Sequence, residues 1–115
     1  MSSVQVATGT LVKGTAVIPL NGTLSNVIQT KGLSLVGISL PASLTGTALK
    51  FQACDTVDGT FLPVYNSAGE ISLTVAASRY IAVDPKDFQG IQFLKLVSGT
   101  TEIAERTIGI SLKGI

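Results

Sequence analysis

Apolar and polar residues alternate with a period of two along much of the chain, a spacing typical of β-strands with one buried face. The clearest run is 49–54, in which Leu49, Phe51 and Ala53 alternate with more polar neighbours. A second run lies over 107–112, where every second residue is Ile or Leu and is expected to face the core. A sustained 3.6-residue periodicity is found in no segment. The pattern therefore predicts an all-β protein.

Turn signals separate these apolar runs roughly every 8–12 residues, as in β-sandwiches. The segment Asp55–Gly59 ends in Asp-Gly, which predicts a hairpin because Gly adopts positive φ without steric cost. Asn66–Gly69 predicts a second hairpin. Asp84 suits a helix N-cap and Pro85 the first helical position, so one short helical turn is expected near 85–89.

About eight short antiparallel strands follow from these runs and turns, and they predict a β-sandwich or jelly roll. Near the amino terminus, Val4–Val12 and Thr15–Leu20 have strand character, and we expect Gly14 to separate them. A length of 115 residues is near the usual domain size, so residues 1–115 are predicted to form a single domain. Within it, residues 1–12 are a candidate for an extended amino-terminal arm.

Charged residues make up 13% of the chain, whereas about 25% is usual. The net charge is +1 and the eight basic residues are scattered, which argues against nucleic-acid binding. The longest charge-free stretch, 32–49, contains Pro41 and alternates in polarity, so we expect a strand and turn there and no membrane segment. The amino-terminal residues lack the basic start and apolar run of a secretory signal. An exterior with so few charges favours coverage by partners.

Candidate catalytic chemistry is sparse. The chain has no His, which removes the usual general base and the usual partner of a nucleophilic Ser or Cys. Cys54 is the only cysteine and is interpreted as a structural or incidental thiol. We therefore predict no catalytic, cofactor-binding or metal site, and no enzymatic activity.

Acidic turn residues leave two alternatives open. Asp55 and Asp58 are interpreted as turn residues, but two oxygen ligands in a turn also suit Ca²⁺, and two carboxylates also suit a glycoside hydrolase. The triplet Asn21-Gly22-Thr23 formally matches a glycosylation sequon, although a tight turn is the simpler interpretation.

Arg79, Tyr80 and Arg106 are candidate interface residues because Arg and Tyr are enriched in the cores of protein interfaces. The structural alternative has Arg79 covering a strand edge with its apolar stem and Arg106 simply preceding the last strand. Both interpretations stay open.

Several motifs occur in an order that resembles a known family. They are Gly32–Ile38, Leu40-Pro41, Leu44-Thr45, Ala48–Ala53, Asp58-Gly59-Thr60, Val64-Tyr65, Arg79–Pro85, Phe88-Gln89-Gly90, Phe93–Leu96, Ser98-Gly99-Thr100 and Arg106-Thr107-Ile108. Together they resemble a family of small tailed-phage virion proteins that are encoded near the capsid genes and act as head decoration or cement. The segment Phe51–Gly59 followed by Arg79-Tyr80-Ile81 is also similar to a discoidin-type jelly roll that binds carbohydrate or lipid.

The phage resemblance implies a structural protein without cofactors, made in the cytoplasm of the bacterial host and located on the capsid exterior. Its expected partners are the major capsid protein and further copies of itself, as a dimer or trimer. The arm residues Val4, Val6 and Leu11 are candidate interface residues, since residues 2–12 are able to add as a strand to a neighbouring sheet edge. The alternative function is a carbohydrate- or receptor-binding module of a phage tail or fibre, although the chain has no Trp and only two Tyr to build an aromatic platform.

Overall fold

The computed structural model describes residues 11–56 and 58–114, which form a two-layer antiparallel β-sandwich. The strands of this described part are β1 (Leu11–Ile18), β2 (Ile28–Gln29), β3 (Ser34–Ser39), β4 (Ala48–Cys54), β5 (Leu62–Pro63), β6 (Tyr65–Asn66), β7 (Gly69–Glu70), β8 (Ser72–Thr74), β9 (Tyr80–Ala82), β10 (Phe93–Ser98) and β11 (Arg106–Lys113). A 3₁₀ turn over Pro85–Phe88 connects β9 to β10.

The strands are arranged in a jelly roll. The first sheet has the order β1-β11-β3-β9, and the second has the order β2-β10-β4-β5, with β8 also paired to β4. The strands β6 and β7 form a small separate hairpin. When the short pieces β5 to β8 are counted as one element, eight elements wind between the two sheets and the first strand pairs with the last, as in a jelly roll. The predicted fold class is confirmed.

The core lies between the two sheets and follows the predicted alternation. On β11, Ile108, Ile110 and Leu112 face inward and are buried. Leu94 and Leu96 of β10 are fully buried on the opposite sheet. The remaining buried apolar residues include Ala16, Ile18, Leu35, Ile38, Leu49, Phe51, Val83 and Phe88. Because successive strand residues point to opposite sides, one apolar residue in two is enough to fill this layer.

Three of the predicted turns are confirmed. Strands β4 and β5 pair around the Asp55–Gly59 turn, with Ala53 opposite Leu62. Strands β6 and β7 pair around the second predicted hairpin. Asp84 caps the 3₁₀ turn through its carboxylate, which accepts a hydrogen bond from the Lys86 amide at 3.0 Å.

The expectation for Gly14 is wrong. Strand β1 runs without a break through this residue, which lies opposite Ile110 of β11. The eight-residue ladder with β11 holds the backbone extended, so the partner strand overrides the local tendency of Gly to break a strand.

Within the described part of the chain, no helix has the length and apolar character needed to cross a membrane.

Candidate interaction surfaces

The acidic residues singled out in the sequence are dispersed. Asp84 is used as a cap, and Asp87 Oδ1 accepts a hydrogen bond from Asn66 Nδ2 at 3.4 Å. Asp55 and Asp58 lie exposed in the turn after β4. Over residues 11–56 and 58–114, no three His, Cys, Asp or Glu side chains come together in a way that would hold a metal ion. Cys54 is half-buried, with its Sγ 4.0 Å from Thr56 Oγ1.

The outer side of the first sheet carries an ordered polar array. Ser111 lies at its centre on β11, and its Oγ accepts a hydrogen bond from Lys13 Nζ at 2.9 Å. On the other side, the Tyr80 hydroxyl lies 3.0 Å from the same Oγ. Gly37 of β3 pairs with Ser111 and lies beneath the outer end of the Tyr80 ring. We call the surface made by Lys13, Gly37, Tyr80 and Ser111 the tyrosine face.

Gly37 makes the position of Tyr80 possible. A Cβ atom at residue 37 would overlap with the Tyr80 hydroxyl and with two ring carbons, so the aromatic ring lies directly across the glycine backbone. Tyr80 nevertheless remains 58% exposed, which leaves part of its ring open to solvent. The ring is therefore fixed from below by the sheet and at its tip by Ser111, and little conformational entropy would be lost when a partner packs on it.

A second ordered region lies at one end of the sandwich, where the loops 19–23, 44–46 and 98–105 meet. Its centre is Glu102, which is fully buried. The Glu102 carboxylate accepts hydrogen bonds from the amides of Thr45 and Gly46, both at 2.9 Å, and from Ser98 Oγ at 3.0 Å. Arg106 Nε completes the set at 2.9 Å from Oε1. We call this region the glutamate end.

Burial alone would raise the pKa of Glu102, since a carboxylate loses solvation inside a protein. The hydrogen bonds from the Thr45 amide, Arg106, the Gly46 amide and Ser98 act in the opposite direction and together outweigh burial. The pKa of Glu102 is therefore lowered below its ordinary value of 4.5.

This pKa shift predicts a pH dependence of stability. A carboxyl group with a lower pKa in the folded state stabilises the fold fully above its unfolded-state pKa, and this stabilisation is lost as the pH falls through the folded pKa. We expect the difference in free energy of unfolding between the wild type and Glu102→Gln to be constant near neutral pH and to shrink below about pH 4.5. Urea unfolding at several pH values between 7 and 3 measures it. A difference that persists unchanged at pH 3 would contradict the assignment.

Arg106 is largely buried, unlike the other described interface candidates. Its side chain is 10% exposed, and besides Glu102 it donates from Nη2 to Thr45 Oγ1 at 3.2 Å. In this low-charge protein the guanidinium serves as an internal partner for a buried carboxylate. In the alternative interpretation, Arg106 simply precedes the last strand. In the structure it is the first residue of β11, and its side chain bonds to Glu102.

Two apolar side chains project from the glutamate end. The backbone of loop 19–23 is joined to Glu102 by two hydrogen bonds, from the Asn21 amide to the Glu102 carbonyl at 2.8 Å and from the Glu102 amide to the Gly22 carbonyl at 3.0 Å. Beside this pairing, Leu20 is 58% exposed and Ile103 is 73% exposed. Exposed apolar residues on a fixed loop pair are suited to contact with another protein.

The remaining predicted interface residues are distributed as follows. Arg79 is exposed in the turn before β9, and its carbonyl accepts a hydrogen bond from the Leu40 amide at 2.8 Å. Leu11 is exposed at the start of β1, on the edge of the first sheet opposite to Tyr80. Val4 and Val6 lie outside the described residues. Of the six candidates, Tyr80 and Leu11 are exposed residues of the first sheet, whereas the Arg106 side chain points into the interior.

Sequence reasoning missed Glu102 and its partners. One signal was available, since Glu102 and Arg106 are opposite charges four residues apart in a chain with few charges. Their burial depends on Thr45, Gly46 and Ser98, which are distant in sequence, and no local pattern indicates that contact.

Comparisons with known proteins give a structural likeness. No family model matches the chain, and no curated protein matches it in sequence. The crystal structure of the SPBc2 prophage-derived protein YomS is similar over 96% of this chain and 98% of that chain, with 14% sequence identity and a TM-score of 0.60. The crystal structure of the Yersinia pseudotuberculosis-derived mitogen aligns over 93% and 87% of the two chains, with 10% identity and a TM-score of 0.44. The likeness to the prophage-derived protein shows that the two chains share a fold.

Proposed function

We propose that this protein is a non-enzymatic structural protein of a phage virion, and that it decorates the capsid by binding the major capsid protein and further copies of itself. In this proposal it is made in the bacterial cytoplasm and ends on the capsid exterior. The whole-length likeness to a prophage-derived protein supports the phage association. The observation that carries the binding role is the tyrosine face, an ordered surface with one charged residue, Lys13, whose ammonium is hydrogen-bonded to Ser111.

The tyrosine face supports binding because little covers the Tyr80 ring. Gly37, Gly109 and Ser39 on the neighbouring strands have small side chains or none, and Tyr80 is 58% exposed. Tyr side chains dominate many interfaces because they bury a large area with few rotatable bonds. A capsid surface with a matching apolar pocket would take the ring without any rearrangement of this sheet.

The glutamate end supplies a second contact in the proposal. Leu20 and Ile103 lie on two loops that are joined by backbone hydrogen bonds at Glu102, whose buried carboxylate holds the second loop in place. Both side chains would therefore meet a partner in a fixed position. Residues 2–10 supply a third contact in the proposal, in which an extended segment adds to a neighbouring sheet edge through backbone hydrogen bonds. The predicted arm is shortened to these residues because Leu11 and Val12 belong to β1.

Binding to phage heads tests the proposal. Purified protein is added to heads of the encoding phage that lack it, and the bound fraction is measured by co-sedimentation. We expect saturable binding by the wild type, and a loss of affinity of about tenfold or more for Tyr80→Ala.

Tyr65→Ala is the matched control, because Tyr65 is equally exposed but lies on the separate β6–β7 hairpin. We expect it to bind as the wild type does. Wild-type protein that does not bind heads would refute capsid decoration, and equal losses for the two tyrosine variants would refute the role of the tyrosine face.

The open ring of Tyr80 also favours a second candidate, a carbohydrate- or receptor-binding module of a tail or fibre. Sugar rings stack on exposed aromatic faces, and the ammonium of Lys13 lies near this one, on the same Ser111 hydroxyl that Tyr80 contacts. A glycan array distinguishes the two functions: a glycan bound by the wild type and not by Tyr80→Ala, together with absent head binding, would favour this alternative.

A further inference from the structure

A cleft of about 440 Å³ opens between β1 and β2, which are edge strands of the two sheets. Its lining includes Ile28, Ile110 and Leu112, which belong to the buried core. Val12 and Leu33 extend the apolar lining toward the surface. Over the described residues, the sandwich thus has a cleft along this edge that could accept further apolar side chains.

The edge of β1 offers backbone groups beside the cleft. At Val17, the amide donates to Asn26 Oδ1 at 2.7 Å, and the carbonyl accepts from the Asn26 amide at 3.2 Å. Because successive strand residues point their backbone groups to alternate sides, those of Leu11, Lys13 and Thr15 point to the same open edge. Over the described residues, Asn26 covers this edge at Val17 and leaves the part next to the cleft free for a further strand.

The segment that precedes β1 has the composition of such a strand. Residues 2–10 contain no charged side chain, and Val4 and Val6 occupy alternate positions with strand character. Nine residues in extended form reach about 30 Å, which is enough to enter a neighbouring molecule. Valine side chains would enter an apolar cleft without burying a charge.

The register favours a second copy over the same copy. The Gly9-Thr10 pair suits a two-residue hairpin turn with Gly first. In that hairpin, Val6 would lie opposite Lys13 and Val4 opposite Thr15, and since directly opposed residues share a face, both valines would point away from the cleft. A three-residue loop over 8–10 would bring Val6 opposite Val12 within one chain, but it would place Thr10, a β-branched residue, at the left-handed position that such loops give to Gly. A strand from another molecule has no turn to constrain its register, and it is able to place Val6 opposite Val12 and Val4 opposite Gly14.

We propose that residues 2–10 of a second copy add as an antiparallel strand to the edge of β1, with Val4 and Val6 inserted into this cleft. The inference rests on the self-association part of the proposed function and names its acceptor site. Reciprocal exchange between two molecules closes a dimer, and exchange passed around a ring closes a trimer.

Two doubly substituted full-length chains test which face of residues 2–10 packs into the cleft. Val4→Asp/Val6→Asp places two charges toward the cleft, whereas Gln5→Asp/Ala7→Asp places the same charges on the opposite face of the same strand. Burial of two valine side chains is worth about 100-fold in affinity. In sedimentation equilibrium we expect the first variant to raise the dissociation constant of the oligomer by about this factor or more, and the second variant to change it by much less. Equal effects of the two variants would overturn the proposal.

Disulfide trapping tests whether the strand comes from another molecule. A Cys54→Ser/Val6→Cys chain is mixed with a size-tagged Cys54→Ser/Val12→Cys chain and oxidised. Directly opposed residues that do not share a hydrogen-bonded pair lie about 4.5 Å apart between Cα atoms, which a disulfide spans. We expect a disulfide-linked product that contains one chain of each kind, and none when Gln5→Cys replaces Val6→Cys.

Two results would overturn the inference. One is a wild-type chain that is monomeric at micromolar concentration, and the other is a Cys54→Ser chain carrying both Val6→Cys and Val12→Cys that forms its disulfide only within itself. Head binding is measured separately. A monomeric wild type that still binds heads would refute the strand exchange and leave capsid decoration standing, whereas an exchanged oligomer that does not bind heads would do the reverse.

Discussion

Replacement of Glu102 by alanine is expected to lower the free energy of unfolding by about 3–5 kcal/mol, the range found when one partner of a buried ion pair is removed. The loss has two sources. Arg106 would keep its charge in a largely buried position without a carboxylate, and the amides of Thr45 and Gly46 would lose their acceptor. Unpaired buried donors carry a desolvation cost of their own.

Related substitutions should give graded losses. Glu102→Gln keeps the side-chain shape and one acceptor oxygen, so we expect it to lose less stability than Glu102→Ala. Glu105→Ala is the control, because Glu105 is the same residue type three positions away and is exposed; a change within about 0.5 kcal/mol is expected for such a surface position. Urea unfolding at pH 7 measures all three. If Glu102→Ala proved as stable as Glu105→Ala, the carboxylate would not hold the glutamate end.

The same substitution bears on the proposed function. The loop that carries Leu20 is joined through its backbone to Glu102, and Ile103 is the next residue in the chain. Loss of the carboxylate should therefore loosen both apolar side chains as well as the fold. The backbone amides of residues 21 and 102 donate the two hydrogen bonds between these loops. Their hydrogen exchange would be faster in Glu102→Ala than in Glu105→Ala.

The parts of the fold that could be predicted from sequence are those with a local physical cause. The alternation at Ile108, Ile110 and Leu112 reports a strand with one buried side, whatever its partner is. Asp84 before Pro85 satisfies a free amide by its own carboxylate. These features hold because they depend on residues within a few positions of each other.

The parts that could not be predicted depend on contacts between distant segments. Gly14 remains within a strand because β11, almost one hundred residues later, supplies its ladder partner. Glu102 is buried because Thr45 and Gly46 supply amides from another loop. The candidate site is similar: residue type alone points to Tyr80, but the orientation of its ring depends on the absence of a side chain at Gly37.

Substitution of Gly37 by valine is therefore expected to disturb both the fold and the proposed binding surface. Gly37 is in the middle of the first sheet, and its missing side chain is the space that the Tyr80 ring occupies. A valine there has good strand propensity, but it would force the ring off the sheet and break the contact between the Tyr80 hydroxyl and Ser111. Overpacking of this kind costs about 1–3 kcal/mol. We expect Gly37→Val to lose that much stability and to bind phage heads as weakly as Tyr80→Ala.

A double-mutant cycle separates the contact with Tyr80 from a general effect of valine at this position. In a Tyr80→Ala background the ring is absent, so Gly37→Val should cost much less than it does in the wild type, and the beta-branched side chain could even stabilise the strand. Urea unfolding of the four proteins gives the coupling energy between the two residues. If Gly37→Val lowers the free energy of unfolding by the same amount with and without the tyrosine ring, the loss does not come from displacement of the ring. A loss of head binding by Gly37→Val would then be caused by the change in strand β3 itself and not by a displaced Tyr80 ring.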